Sequence, residues 1–114
     1  MNFDFDAIFY YVSDLERAIR FYTDVLGFKL QSQDYVARFS IGNVLFELVP
    51  TTEHDKLQGD GNARLCLRVD DINSASIALQ SKGVRTGPTE VKQNGLLACF
   101  RDPDDNEICL WQYT

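Results

Sequence analysis

Histidine is nearly missing from this chain: His54 is the only one in 114 residues. A site built from two or more histidines of one chain is therefore excluded, and many zinc arrangements go with it. Cysteine occurs three times, at Cys66, Cys99 and Cys109, an odd count without the tight spacing of a disulfide framework or a zinc knuckle. Reduced thiols and a cytoplasmic location are the expectation. No apolar run approaches the roughly 20 residues of a membrane span. The first six residues carry Asp4 and Asp6 and no basic side chain, so neither a secretory signal nor a membrane partner is expected. Basic residues are in the minority, 11 against 17 acids, giving a net charge of −6 and a pI near 4.6. Nucleic acid is not an expected partner, because phosphate contacts need clustered lysine and arginine.

What remains is 45% apolar and 25% charged, the balance of an ordinary soluble domain. The length bounds one domain, or two small halves sharing a core. Ile8 to Val12 is aromatic and β-branched and predicts a strand. Ser13 and Glu16 have capping-box spacing. Leu15, Ala18, Ile19, Tyr22 and Leu26 then recur at helical spacing, and Gly27 suits a left-handed C-terminal cap. Strands are predicted at Phe28–Leu30, Tyr35–Ile41 and Val44–Val49, with a Gly42-Asn43 turn and Pro50 as terminator. Thr51 to Asn62 is polar, contains Gly59 and Gly61, and reads as a linker.

The pattern then recurs. Ala63–Val69 predicts a strand, and Asp70 stands where Ser13 stood. Ile72, Ala75 and Leu79 make a helical stripe ending at Gly83. Val84-Arg85, Leu96–Phe100 and Ile108–Tyr113 predict strands, with a tight turn at Asp102–Asn106. Val12-Ser13-Asp14-Leu15 aligns with Val69-Asp70-Asp71-Ile72, and Gly27 with Gly83 after deletion of one residue. The fold class is α+β: a tandem βαβββ repeat, with module one at about 5–50, the linker at 51–62 and module two at about 63–114 of one domain. Neither half is expected to bury a sheet face alone.

Two stretches resemble a known family. V-x-D-L-x-x-A-x-x-F-Y-x-x-V-L-G-F, Val12 to Phe28, and F-R-D-P-D-D-N-E-I-C-L-W, Phe100 to Trp111, resemble the vicinal oxygen chelate superfamily. That superfamily includes glyoxalase I, extradiol dioxygenases, and the fosfomycin- and bleomycin-resistance proteins. The resemblance implies modules that close a cup-shaped, partly closed barrel sheet, commonly in a homodimer. It also implies four metal-ligand positions, which map onto Ala7, Glu47, Arg64 and Cys109. Ala7 has no donor atom, and Arg64 is a fixed cation. Cys109 suits only a soft metal. No metal and no cofactor are expected, and a Glu47–Arg64 pair is expected in the metal's place.

Strand parity extends the candidate ligand-binding wall. Phe9 and Tyr11 share a face with Ala7, Leu45 and Val49 with Glu47, Cys66 and Arg68 with Arg64, and Glu107 and Trp111 with Cys109. The expected ligand-binding set is therefore Phe9, Tyr11, Glu47, Arg64, Arg68, Glu107, Cys109 and Trp111. Phe39, Phe46 and Phe100 are further wall candidates of less certain parity. Trp111 is either a stacking surface or a core residue, and Cys109 reads foremost as a small buried filler. His54 reads as a solvated linker side chain.

Three functions remain open. The first is a metal-free protein that binds a small molecule and sequesters an antibiotic or toxic compound, as the bleomycin-resistance branch does. The second is a divergent lyase, isomerase or dioxygenase-type enzyme with Glu47 as candidate catalytic base or metal ligand. The third is an interaction module whose cavity is packed shut.

Overall fold

Alternation of side chains drives both sheets, and the two halves lay down their elements in the same order. The computed structural model describes residues 1–57 and 61–114. The first half runs β1 (Ala7–Val12), α1 (Leu15–Arg20), β2 (Leu30–Gln33), β3 (Ala37–Ile41) and β4 (Val44–Pro50). The second runs β5 (Leu65–Arg68), α2 (Ile72–Ser81), β6 (Glu90–Lys92), β7 (Gly95–Arg101) and β8 (Glu107–Tyr113). The sheet orders are β1-β4-β3-β2 and β5-β8-β7-β6. In each, the first strand lies parallel to the last and the remaining pairs are antiparallel. The α+β class and the βαβββ repeat thus stand as read from the sequence.

The chain divides into two compact units, Met1–Leu57 and Gln58–Thr114. The division falls inside the expected 51–62 linker, of which 58–60 lies outside the described residues. His54 opens a short 3-10 turn, His54–Lys56, and is exposed.

Both helices start one residue later than the capping box implies. Asp14, not Ser13, is the first cap: its carboxylate accepts from the Arg17 backbone N–H at 3.1 Å. Asp71 does the same in the repeat, accepting from Asn73 and Ser74 at 3.0 and 3.1 Å. A charged acceptor satisfies the positive end of a helix better than a hydroxyl does, which is why Asp14 displaces Ser13. The Ser13 hydroxyl instead accepts from the Arg17 guanidinium at 3.0 Å. Gln112 of β8 adds a third bond to the start of α2, accepting from the Ile72 N–H at 2.8 Å.

Helix α1 continues as a π turn, Phe21–Val25, in which the Leu26 N–H reaches back to the Phe21 carbonyl at 3.2 Å. From cap to terminal glycine, module one is one residue longer than module two. The wider turn absorbs the extra residue, so that Gly27 (φ 75°) still ends its helix as Gly83 (φ 84°) ends the other.

Each sheet has a helix-side face and an open face. In module one the helix-side core is aromatic: Tyr22 lies 5.1 Å from Phe46, 5.8 Å from Phe28 and 6.1 Å from Phe39 between ring centres. In module two it is mostly aliphatic, with Ile72, Leu79, Ala98, Phe100, Ile108 and Leu110 buried. Phe39, Phe46 and Phe100 therefore belong to the cores and not to a ligand wall, because each alternates away from the open face. Val84-Arg85 is not a strand; the short edge strand comes later, at Glu90–Lys92.

Candidate ligand-binding faces

The open face of module one is set by the β1–β4–β3 register. Phe9 partners Glu47, Tyr11 partners Val49, and Ala7 partners Leu45, so the expected wall residues of this half do share one side. Phe9 is 47% exposed and meets the Tyr11 ring edge-on at 5.2 Å. The Lys56 ammonium lies 5.2 Å from the centre of the Tyr11 ring, a cation–π contact. Arg38 on β3 stands opposite Glu47, and its Nε lies 3.3 Å from the Glu47 carboxylate.

The open face of module two repeats this plan with other residues. Cys66 partners Cys109 and Arg68 partners Trp111. The Arg64 guanidinium donates to the Glu107 carboxylate. Trp111 is half-buried over Gly95: a Cβ there would come under 3.0 Å from the indole ring, so only glycine leaves room for it. Trp111 also meets Tyr113 edge-on at 5.7 Å.

Within the modules, Glu47 pairs with Arg38 and Arg64 with Glu107, so each member of the expected Glu47–Arg64 pair has a counter-charge in its own module. Arg38 stands opposite Glu47 on the adjoining strand, and Arg64, just before β5, meets Glu107 of β8. Alternation along β4 alone does not point to Arg38; the two-residue Gly42-Asn43 turn sets it opposite Glu47. Nor does spacing within β8 point to Cys99 as a neighbour of Cys109. The two are cross-strand partners with sulfurs 2.7 Å apart. Burial, reinforced by the bond to Cys109, pushes the Cys99 thiol up to about 12. Burial also raises Cys66, with a smaller contribution from Cys109.

The four positions that the family resemblance assigns to metal do not suit a hard divalent ion here. Ala7 offers no donor, Arg64 brings a positive charge, and Glu47 is engaged by Arg38. One open groove, about 510 Å³, lies along α2 and the 86–89 segment, lined by Ser76, Ile77, Gln80 and Pro88 among others. None of the expected wall residues lines it.

Topology, motifs and paired helices together define a class, and comparison with known proteins agrees. The chain matches the Glyoxalase/Bleomycin resistance protein/Dioxygenase superfamily over residues 4–110 and belongs to it. It is 31% identical over 116 residues to a probable lactoylglutathione lyase of Synechocystis sp., covering 89% of this chain and 88% of that protein. It is 30% identical over 111 residues to human mitochondrial methylmalonyl-CoA epimerase, covering 82% of this chain but only 63% of the epimerase. Among solved structures, TnmS3, an antibiotic binding protein from Streptomyces sp. CB03234, is similar with a TM-score of 0.80 at 28% identity, covering 100% and 99% of the two chains. The fosfomycin resistance protein FosX of Listeria monocytogenes shares the fold, with a TM-score of 0.82 at 18% identity over 100% and 96% of the chains. Among the described residues, no helix is long and apolar enough to cross a membrane.

Proposed function

We propose that the chain acts as one domain that binds a small organic molecule and sequesters an antibiotic or other toxic compound without transforming it. The supporting observation is the use made of Glu47. Its carboxylate, the single family-type acidic ligand kept in this chain, is held by Arg38 at 3.3 Å. The binding groups are Phe9, Tyr11, Glu47, Arg64, Arg68, Glu107, Cys109 and Trp111. Exposed aromatic edges beside fixed charges suit a flat, partly polar ligand. Likeness to an antibiotic binding protein supports the same reading. Titration of the chain against planar cationic and peptide-like antibiotics, followed by calorimetry, tests it. Saturable binding that Trp111→Ala weakens is expected; no binding across a broad panel overturns it. The same reading makes the protein a homodimer, and a monomer by light scattering at micromolar concentration overturns that part.

A second reading is favoured by the enzyme names of two relatives. Glu47 is then a general base or ligand in a lyase or isomerase. A carboxylate occupied by a guanidinium has fewer lone pairs free for a substrate proton, which weighs against it. Turnover of a thioester or glutathione conjugate that Glu47→Gln abolishes, with binding intact, would establish it.

A further inference from the structure

All three cysteines of the chain stand in one row across the second sheet. Cys66 on β5 partners Cys109 on β8, and Cys109 partners Cys99 on β7. Partnered positions share a face, so the three thiols stand on one side, and those of Cys99 and Cys109 meet at 2.7 Å. Glu107, two residues before Cys109, points to the same side. The donor atoms of Cys99, Glu107 and Cys109 all lie within 4.8 Å of one another. We propose that Cys99, Cys109 and Glu107 form a binding site for a thiophilic divalent ion of the zinc or cadmium type.

Donor chemistry selects the ion. Two sulfurs and one carboxylate oxygen match soft or borderline cations and mismatch magnesium, calcium or manganese. On a tetrahedral zinc ion with bonds of about 2.3 Å, two sulfurs sit about 3.8 Å apart. The Cys99 and Cys109 sulfurs, now at 2.7 Å, would part by about 1 Å, within reach of side-chain rotation. Binding releases the two thiol protons to solvent, since the thiolate is the ligand.

Charge balance accounts for Arg64. Two thiolates and a carboxylate carry three negative charges, and a divalent ion leaves one. The Arg64 guanidinium on Glu107 cancels it and holds the carboxylate in place, as outer partners of metal ligands commonly do. The same arginine that spoils an oxygen-rich site completes a thiolate-rich one. Of its three donors only Cys109 falls on a ligand position that the family resemblance implies; Cys99 and Glu107 do not, so the site differs from the family's own. It goes beyond the small-molecule reading and does not depend on it. The rival for the thiol pair is a disulfide, since directly opposed strand positions have suitable Cα spacing. Convergence of the carboxylate on the sulfurs favours the ion.

The test uses the whole chain, fully reduced, titrated with cadmium and zinc, with magnesium as the hard-ion control. One cadmium per chain with an ultraviolet thiolate-to-metal band is expected, displacing bound zinc and undisturbed by magnesium. Zinc should also shield Cys99 and Cys109 from alkylation in the unaltered protein, read by mass mapping, which needs no variant to fold. Cys99→Ser and Cys109→Ser should each weaken cadmium binding by more than tenfold, and Glu107→Gln by about tenfold, on the scale of disturbed metal ligation. An unchanged alkylation pattern with zinc, full cadmium affinity in the double serine variant, or loss of two hydrogens in mass with no cadmium uptake would each overturn the proposal.

Discussion

Module one surrounds its helix with aromatic rings, Tyr22, Phe28, Phe39 and Phe46, whereas module two uses Ile72, Leu79, Ile108 and Leu110 with a single phenylalanine, Phe100. Their open faces differ as much. One carries Phe9, Tyr11 and a Glu47–Arg38 pair; the other carries a cysteine row, Trp111 and an Arg64–Glu107 pair. Strand order and caps are nevertheless repeated. The topology demands apolar alternation, an acidic cap and a terminal glycine, and it leaves side-chain identity free. Function is therefore to be sought where the repeats differ.

The largest way to break the comparison is to truncate the centre of each core. Phe46→Ala should cost about 3–5 kcal/mol and Leu110→Ala about 2–5 kcal/mol, with the aromatic core losing more. Urea unfolding of the two variants checks the order, and a greater loss from Leu110→Ala would refute it. Next comes Gly95→Ala, which pushes against Trp111 and should cost about 1–3 kcal/mol. Because Trp111 is the only tryptophan, a shifted emission maximum should accompany the loss.

Acid sharpens the contrast further. Asp71 in module two is held below the usual carboxylate range, chiefly by the Ser74 N–H, and Asp34 in module one chiefly by the Val36 N–H. A depressed folded value adds stability that is complete above the unfolded carboxylate value near 4 and is lost as pH falls through the folded value. Asp71→Asn and Asp34→Asn should each flatten the acid side of the stability curve and leave its alkaline side unchanged. The smallest difference lies in thiol chemistry. Cys66 is exposed while Cys109 is buried and Cys99 is pushed up to about 12, so iodoacetamide at neutral pH should label Cys66 first. Labelling of Cys99 ahead of Cys66 in a metal-free sample would contradict this.

Much of this molecule is legible in its sequence because its elements are periodic. The repeat, the helix stripes and the family motifs all follow from spacing, and so does the open-face set from Ala7 to Trp111. The charge pairing does not follow from spacing within one strand. Arg38 meets Glu47 because the Gly42-Asn43 turn joins Ile41 to Val44 as partners. Cys99 meets Cys109 because the Asp102–Asn106 turn sets Arg101 opposite Glu107. Both turns are visible in the sequence, but their registers must be counted outward to find the pairs. The helix starts have another source: two adjacent polar residues compete at each, and charge separates Asp14 from Ser13 but not Asp71 from Asp70.

The π turn at Phe21–Val25 has an accounting of its own. An extra residue in a regular helix would swing every later side chain by about 100° and carry Tyr22's neighbours off the sheet. Kept as a local loop of slack, it leaves the exit of the helix where the repeat needs it. The Thr23 hydroxyl secures that slack by bonding the Ile19 carbonyl at 2.8 Å. Module one thus holds a spare residue that its sheet does not require, and its helix is the place where this chain can change length without changing its fold.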